Sequence, residues 1–233
     1  MTKFPLILIP GLLCSPRLWA AQIEDLSDIA SCEVVDHTRH STVAAITRSI
    51  LEEAPEHFAL AGLSMGGYIS FEILRQEPER VKKLALLDTS ALADTDEARA
   101  SREARMADVR ANGFEQFVAG DWLAQMVPAA KADDETLKEQ ISALALEVGE
   151  GAFFRQQKAI MSRPDSRPTC ETISCPTTII VGELDDVTPP VRHEEIHELI
   201  SGSTLQVVPE CGHLSTVEKP REISTLLRDW LMN

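Results

Sequence analysis

Disulfide chemistry has little to work with in this chain. Its 233 residues include only 5 cysteines, Cys14, Cys32, Cys170, Cys175 and Cys211, an odd number with no Cys-x-x-Cys pair. That scatter supports neither a disulfide framework nor a zinc cluster; it fits reduced thiols, so a cytoplasmic location is expected. Positive charge is also scarce: 22 Lys+Arg stand against 37 Asp+Glu, a net charge of -15. So acidic a surface repels phosphate backbones and anionic lipid, and neither nucleic-acid nor membrane binding is expected. No apolar run reaches the length of a membrane span. Lys3 followed by the apolar run 4–14 imitates the start of a signal peptide. Pro5, Pro10 and Gly11 interrupt that run, however, and Leu13 before Cys14 spoils a lipoprotein cleavage site. There is no internal repeat and no low-complexity segment.

What is present is ordinary globular composition, 44% hydrophobic and 25% charged. The length suits one large domain or a domain with an inserted lobe, and needs no metal or disulfide to hold a core. Short apolar runs alternate with helical stretches. Strands are expected at 6–9, 32–35, 57–61, 83–87, 177–181 and 204–208. Helices are expected at 17–29, 43–53, 65–76, 190–200 and 220–232. From about Asp94 to Arg163 no strand is evident, and Ala, Glu, Arg, Gln and Leu predominate. Three or four inserted helices are expected there. The alternation implies an α/β fold, a mainly parallel six-stranded sheet with helices on both faces and an inserted helical lobe. Residues 1–93 and 166–233 would form the core and 94–165 the insertion. Ligands of such sheets bind beyond the carboxyl ends of the strands, so chemistry is sought there.

One motif sits in that place. Gly62-Leu63-Ser64-Met65-Gly66-Gly67 follows the third strand and opens a helix, a G-x-S-x-G pattern in strand–turn–helix context. The tight turn forces Ser64 into a strained backbone conformation and exposes its hydroxyl. The plainer reading, a glycine-rich turn with an N-cap serine, is weaker in this context. A serine hydroxyl needs a base, and the base an oriented acid. His213 lies just past the sixth strand and Asp185 just past the fifth. Asp186 and Asp88 are alternative acids by position alone. Oxyanion donors are expected from the Met65 N–H and from the Leu12 N–H in the loop after the first strand.

Taken together, these residues resemble the α/β-hydrolase superfamily over nearly the whole chain. The resemblance rests on Ile9-Pro10-Gly11-Leu12, on 62–67, on 182–189, and on Gly212-His213 with Glu218 and Pro220 behind it. The closest likeness is to small bacterial carboxylesterases and to lactonases such as 3-oxoadipate enol-lactonase. It implies Ser64, His213 and Asp185 as the catalytic triad, because the family's acid stands two residues before a hydrophobic-Thr-Pro ending. It also implies that the helical insertion is a cap. Two features depart from the family: Pro10-Gly11 replaces the usual His-Gly, and the two leading strands are missing. Ser64 in place of Asp at the elbow excludes dehalogenases and epoxide hydrolases of this fold.

The reading is then a serine hydrolase acting on a small-molecule ester or lactone without a cofactor or metal. A thioesterase or C–C hydrolase could use the same triad, and a non-catalytic ligand receptor could share the fold. A rival of another class is a zinc peptidase. His193-Glu194-x-x-His197 matches H-E-x-x-H, with Glu218 as a possible third ligand. The plainer account is an exposed helix that buries Val191, Ile196, Leu199 and Ile200. Trp19, Phe114, Trp122 and Phe153 are candidate substrate contacts, although aromatics at helical spacing usually pack as core. Arg155 and Arg163 are candidate partners for a substrate carboxylate, with solvated or helix-ending roles as the plainer account.

Overall fold

The computed structural model describes residues 3–233. Its single sheet contains β1 (Phe4–Ile9), β2 (Ala30–Val34), β3 (Phe58–Leu63), β4 (Val81–Leu87), β5 (Thr177–Gly182) and β6 (Thr204–Val208). The order is β2-β1-β3-β4-β5-β6 and every pairing is parallel. The inner strands β3 and β5 are buried at every residue, whereas the edge strands β2 and β6 are partly exposed. That is why β3 reads as a continuous apolar run and β5 carries one at Ile179-Ile180-Val181.

Alternate residues of one strand serve opposite faces. Leu6 and Leu8 join a core with Leu18, Trp19, Ile223 and Leu227, while Ile7 and Ile9 join one with Ile46, Ile69 and Ile196. The first face carries α1 (Ala20–Asp25) and, near the C-terminus, Pro220–Met232; the second carries α2 (Val43–Glu53), α3 (Met65–Gln76) and the helix Pro190–Leu199.

Between β4 and β5 the chain is helical: α4 (Asp96–Asn112), α5 (Phe114–Phe117), a π turn at Val118–Trp122, α6 (Leu123–Met126), α7 (Glu135–Val148), α8 (Glu150–Met161) and α9 (Arg167–Cys170). Phe153 is central there, with ring centroids 5.0 Å from Phe117 and 6.0 Å from Phe114. These side chains are continuous with the core on the first face of the sheet. The remaining helices are α10 (Pro190–Leu199), α11 (Ser215–Glu218) and α12 (Pro220–Met232).

The structure shortens one expected helix. Residues 17–29 form a 3-10 turn at Pro16–Trp19 and then α1, which stops at Asp25. The Ile29 and Ala30 N–H groups both turn back to the Leu26 carbonyl, because Ala30 must enter β2 beside Phe4. Helix α10 also differs in its inward face. Val191 is 57% exposed, and His193 takes the buried place instead.

The tightest contact in the fold lies where α3 meets the sheet. A Cβ on Gly66 would stand 2.1 Å from the Ile9 carbonyl oxygen, and one on Gly62 would stand 2.4 Å from the Gly66 oxygen. Neither neighbour is a flexible side chain that could yield. Gly66→Ala should therefore lower stability by about 2–3 kcal/mol in urea unfolding, or leave no soluble protein. Gly120→Ala, where an added Cβ meets nothing within 4 Å, should shift stability by no more than about 1 kcal/mol.

Candidate active site

Ser64 occupies the turn between β3 and α3 with φ 54 and ψ -112, a strained conformation for a residue with a side chain. The surroundings hold it there. Its N–H donates to the Leu87 carbonyl (2.9 Å), and its own carbonyl accepts from Gly67 N–H (2.9 Å) and from the Thr89 hydroxyl (2.8 Å). The Ser64 hydroxyl lies 2.9 Å from His213 Nε2, and His213 Nδ1 lies 2.8 Å from Asp185 Oδ2. Because Asp185 is an acceptor, Nδ1 carries the proton and the Nε2 lone pair faces Ser64.

The loops carrying the acid and the base are locked to each other. Leu184 N–H donates to the Cys211 carbonyl (2.7 Å), and Gly182 passes so close to Gly212 that a Cβ there would stand 2.2 Å from its oxygen. Asp185 is held by four donors. Val187 N–H and Thr188 N–H reach Oδ1 at 2.9 Å each, the Thr188 hydroxyl reaches Oδ2 at 2.7 Å, and His213 completes the set. On the base side, Glu218 accepts from Gly212 N–H (3.0 Å) and Leu214 N–H (3.2 Å) and pairs with Lys131 (2.8 Å).

Asp88 and Asp186, the alternative acids, stand elsewhere. Asp186 is exposed. Asp88 is fully buried at the end of β4, where it accepts from Gly182 N–H (3.0 Å), Ser215 N–H (3.3 Å) and the Ser215 hydroxyl (2.5 Å). Burial, and then the charge of Asp185, push its carboxyl up to about 8. Burial also disfavours a charged His213, but the charge and hydrogen bond of Asp185, with Asp88 and Glu218 adding, hold it above the ordinary histidine range. Burial alone would raise Asp185; the charge and hydrogen bond of His213 and the Thr188 donors outweigh it and hold the acid below its usual range.

The two expected oxyanion donors flank Ser64. Met65 opens α3, so its N–H has no carbonyl within the helix to bind. Leu12 follows Gly11, whose added Cβ would lie 3.3 Å from Ser64 Cβ. Neither N–H donates to a protein acceptor among the described residues. The sequence offered no hint of what orders this loop. Gln156 of α8, fully buried, accepts from Leu13 N–H (3.1 Å), and its amide nitrogen lies 2.9 Å from His37 Nε2. That ring nitrogen is also 2.9 Å from the Gly11 carbonyl. Leu13 itself has φ 54, so the loop is strained as well as clamped. Glutamine and histidine far apart in sequence carry no local signal of such a contact.

Two clefts meet at His213. The inner one, about 60 Å³, is lined by Gly11, Leu12, Ser64, Arg105, Trp122 and His213, among others. The outer one, about 520 Å³, runs along Ala119–Ala129 and past Asp186 and Val187. Of the aromatic contacts expected from the sequence, Trp122 lines the inner cleft. Trp19, Phe114 and Phe153 do not: all three are core side chains. Arg155 and Arg163 also lie elsewhere. Arg155 donates to the Thr38 carbonyl (2.7 Å), and Arg163 pairs with Asp94 (2.6 Å) and stacks 4.2 Å above the Tyr68 ring.

The residues of the zinc motif serve the scaffold. His193 is buried and accepts from Thr89 N–H at 2.7 Å; burial pushes its pKa down to about 4. His197 lies on the exposed side, 2.8 Å from the Ser203 hydroxyl. Glu218 is taken up by the His213 loop. Among the described residues no group of three His, Cys, Asp or Glu side chains is arranged to hold a metal ion.

Comparison with known proteins identifies the family. The family described as the alpha/beta hydrolase fold matches residues 5–220. A pimeloyl-[acyl-carrier protein] methyl ester esterase from Aromatoleum aromaticum is 24% identical, over 98% of this chain and 98% of that protein. The structure is similar to a thermophilic esterase from Thermogutta terrifontis (27% identity, TM-score 0.88, 99% of this chain and 90% of that one). It also resembles the enol-lactonase from Burkholderia xenovorans in fold (19% identity, TM-score 0.89, 100% and 93%).

A base must be unprotonated to take the Ser64 proton. kcat/KM should therefore rise as His213 loses its proton and be lost as pH falls through its pKa. Because that pKa is raised, the acid limb should lie above the ordinary value of about 6.5. Asp185→Asn should lower kcat by about 10⁴-fold and move the limb down. Asp88→Asn should act mainly on stability, because it leaves the Ser64–His213–Asp185 contacts in place. Steady-state kinetics across pH and urea unfolding of both variants check this.

Proposed function

Because this chain belongs to the alpha/beta hydrolase family, we propose that it is a serine hydrolase that cleaves a small carboxylic ester or lactone through an acyl-enzyme. The observation that carries the reading is the unbroken relay from Ser64 through His213 to Asp185, at 2.9 and 2.8 Å. As Ser64 Oγ adds to the carbonyl carbon, its proton passes to His213 Nε2. The negative charge that develops on the carbonyl oxygen is met by the Leu12 and Met65 N–H groups. Collapse of the tetrahedral intermediate breaks the bond to the leaving oxygen, which takes the proton from His213. Water then attacks the acyl-enzyme with His213 as base, and the acid leaves as Ser64 is reprotonated. Asp185 orients His213 and stabilises its charged form. Residues 94–165 act as a cap: Trp122 and Met126 from that segment share the inner cleft with Ser64. The names of the esterase and enol-lactonase relatives agree with ester or lactone chemistry.

The leaving oxygen must lie within reach of His213 Nε2, and His213 lines both clefts. The alcohol therefore departs toward the larger cleft, and the acyl group occupies the smaller one with Ser64. A space of about 60 Å³ fills early.

Ser64→Ala should fold normally, lose about 10⁴-fold or more of its activity on activated esters, and escape labelling by a fluorophosphonate that modifies the wild type. Equal labelling of both proteins would remove Ser64 from this role. On p-nitrophenyl esters, each added acyl methylene should help by up to about 0.8 kcal/mol only until the inner cleft is full. kcat/KM should therefore peak at short acyl chains and fall beyond them. A rise through the longest chains would show that the acyl group does not sit there.

A further inference from the structure

Arg105 is a cation without a counter-charge in the cleft that holds Ser64. Arg102, one turn earlier on α4, also lines that cleft, but its guanidinium is taken up by Asp94 (2.7 Å) and by the Gln157 side-chain oxygen (3.0 Å). Arg105 makes no ion pair and no hydrogen bond among the described residues, yet it is only partly exposed. Burial, and then the charge of Arg102, destabilise its charged form; Asp121 opposes them from beyond ion-pair distance. A half-buried guanidinium has five donors in a planar fork, and leaving them unmatched is costly. The same wall contains Trp122, whose indole N–H is buried with no acceptor. This local excess of donors stands in a chain of net charge -15, whose long-range field works against anions.

We propose, building on the serine-hydrolase reading above, that the acyl half of the substrate carries a carboxylate received by Arg105. The carboxylate belongs to the acyl half because Arg105 shares its cleft with Ser64 and Leu12, whereas the larger cleft on the leaving-group side has none of these three in its wall. The small volume limits the acyl group to a short dicarboxylic acid bound as its monoester. Planar, bidentate pairing is what arginine does best with a carboxylate, and it fixes the acyl chain as well as attracting it.

The test compares monomethyl succinate with methyl levulinate, its neutral near-isostere, and with O-acetylglycolate, which carries the charge on the alcohol side. Wild type should favour monomethyl succinate over methyl levulinate by roughly tenfold or more in kcat/KM. Arg105→Gln should collapse that ratio toward one, and Arg105→Lys should restore part of it. In the Ser64→Ala background, calorimetry should show succinate binding that Arg105→Gln weakens by a similar factor, a readout independent of turnover. A ratio near one in wild type, or one that Arg105→Gln leaves intact, overturns the proposal while the hydrolase reading stands. An Arg105-dependent preference for O-acetylglycolate overturns the acyl-side placement. Absence of cleavage of every ester, with Ser64 unlabelled by fluorophosphonate, overturns the hydrolase reading and this proposal together.

Discussion

Backbone-to-backbone contact between α3 and the end of β1 is the constraint on which the site depends. Where Gly66 passes the Ile9 carbonyl there is no room for a Cβ. That approach lets the chain reverse at Ser64 within one residue, and it accounts for the positive φ there. It also brings the loop after β1 against the elbow, so that Gly11 and Ser64 nearly touch. The strain is met by ordinary means, the bonds of Ser64 to Leu87, Gly67 and Thr89. The position of Ser64 is thus a property of the packed sheet as much as of the serine.

The charged part of the site is governed by burial. Asp185, Asp88 and His213 are almost entirely hidden from water, where an isolated charge is expensive and a well-hydrogen-bonded pair is tolerated. Asp185 has donors enough to remain ionised and to favour an ionised His213. Asp88 sits so near Asp185 that burial and like charge push it toward its neutral form, and it ties the ends of β4 and β5 to Ser215. Two carboxylates at neighbouring strand ends thus take different parts, one bonded to His213 and one bracing the frame. Asp185 meets His213 because the loops after β5 and β6 are bonded side by side, Leu184 N–H to the Cys211 carbonyl, whereas the Asp88 carboxyl is taken up by Gly182 N–H and by the N–H and hydroxyl of Ser215.

The helical segment between β4 and β5 contributes more than cover. Gln156 reaches from α8 to the Leu13 N–H, with His37 at its other end, and so supplies from outside the order that Pro10-Gly11 does not supply from within. Arg102 and Arg105 on α4 put positive charge over a site in an otherwise acidic protein. Local chemistry and net charge thus point in opposite directions here, and at contact distance the local groups decide.

By itself the sequence determined the strand–helix alternation, the parallel six-stranded sheet and the places of Ser64, Asp185 and His213 after the third, fifth and sixth strands. These are legible because buried parallel strands are uninterrupted apolar runs and because G-x-S-x-G joins a strand to a helix by local sterics. The end of α1 was not legible, because Leu26 and Ile29 keep the apolar spacing of a helix while the chain is turned aside at Leu26 by the need of Ala30 to pair in β2. The inward turn of His193 was hidden too, since its acceptor role depends on Thr89, on another strand's loop. Only the tertiary structure decided between Asp185 and Asp88 as the partner of His213 by contact, sent Trp19, Phe114 and Phe153 into the core, and put Arg105 rather than Arg155 or Arg163 in the wall of the cleft that holds Ser64. The reason is common to all three. Periodicity tells which side of an element is buried, but what it is buried against is set by contacts between residues far apart in the chain.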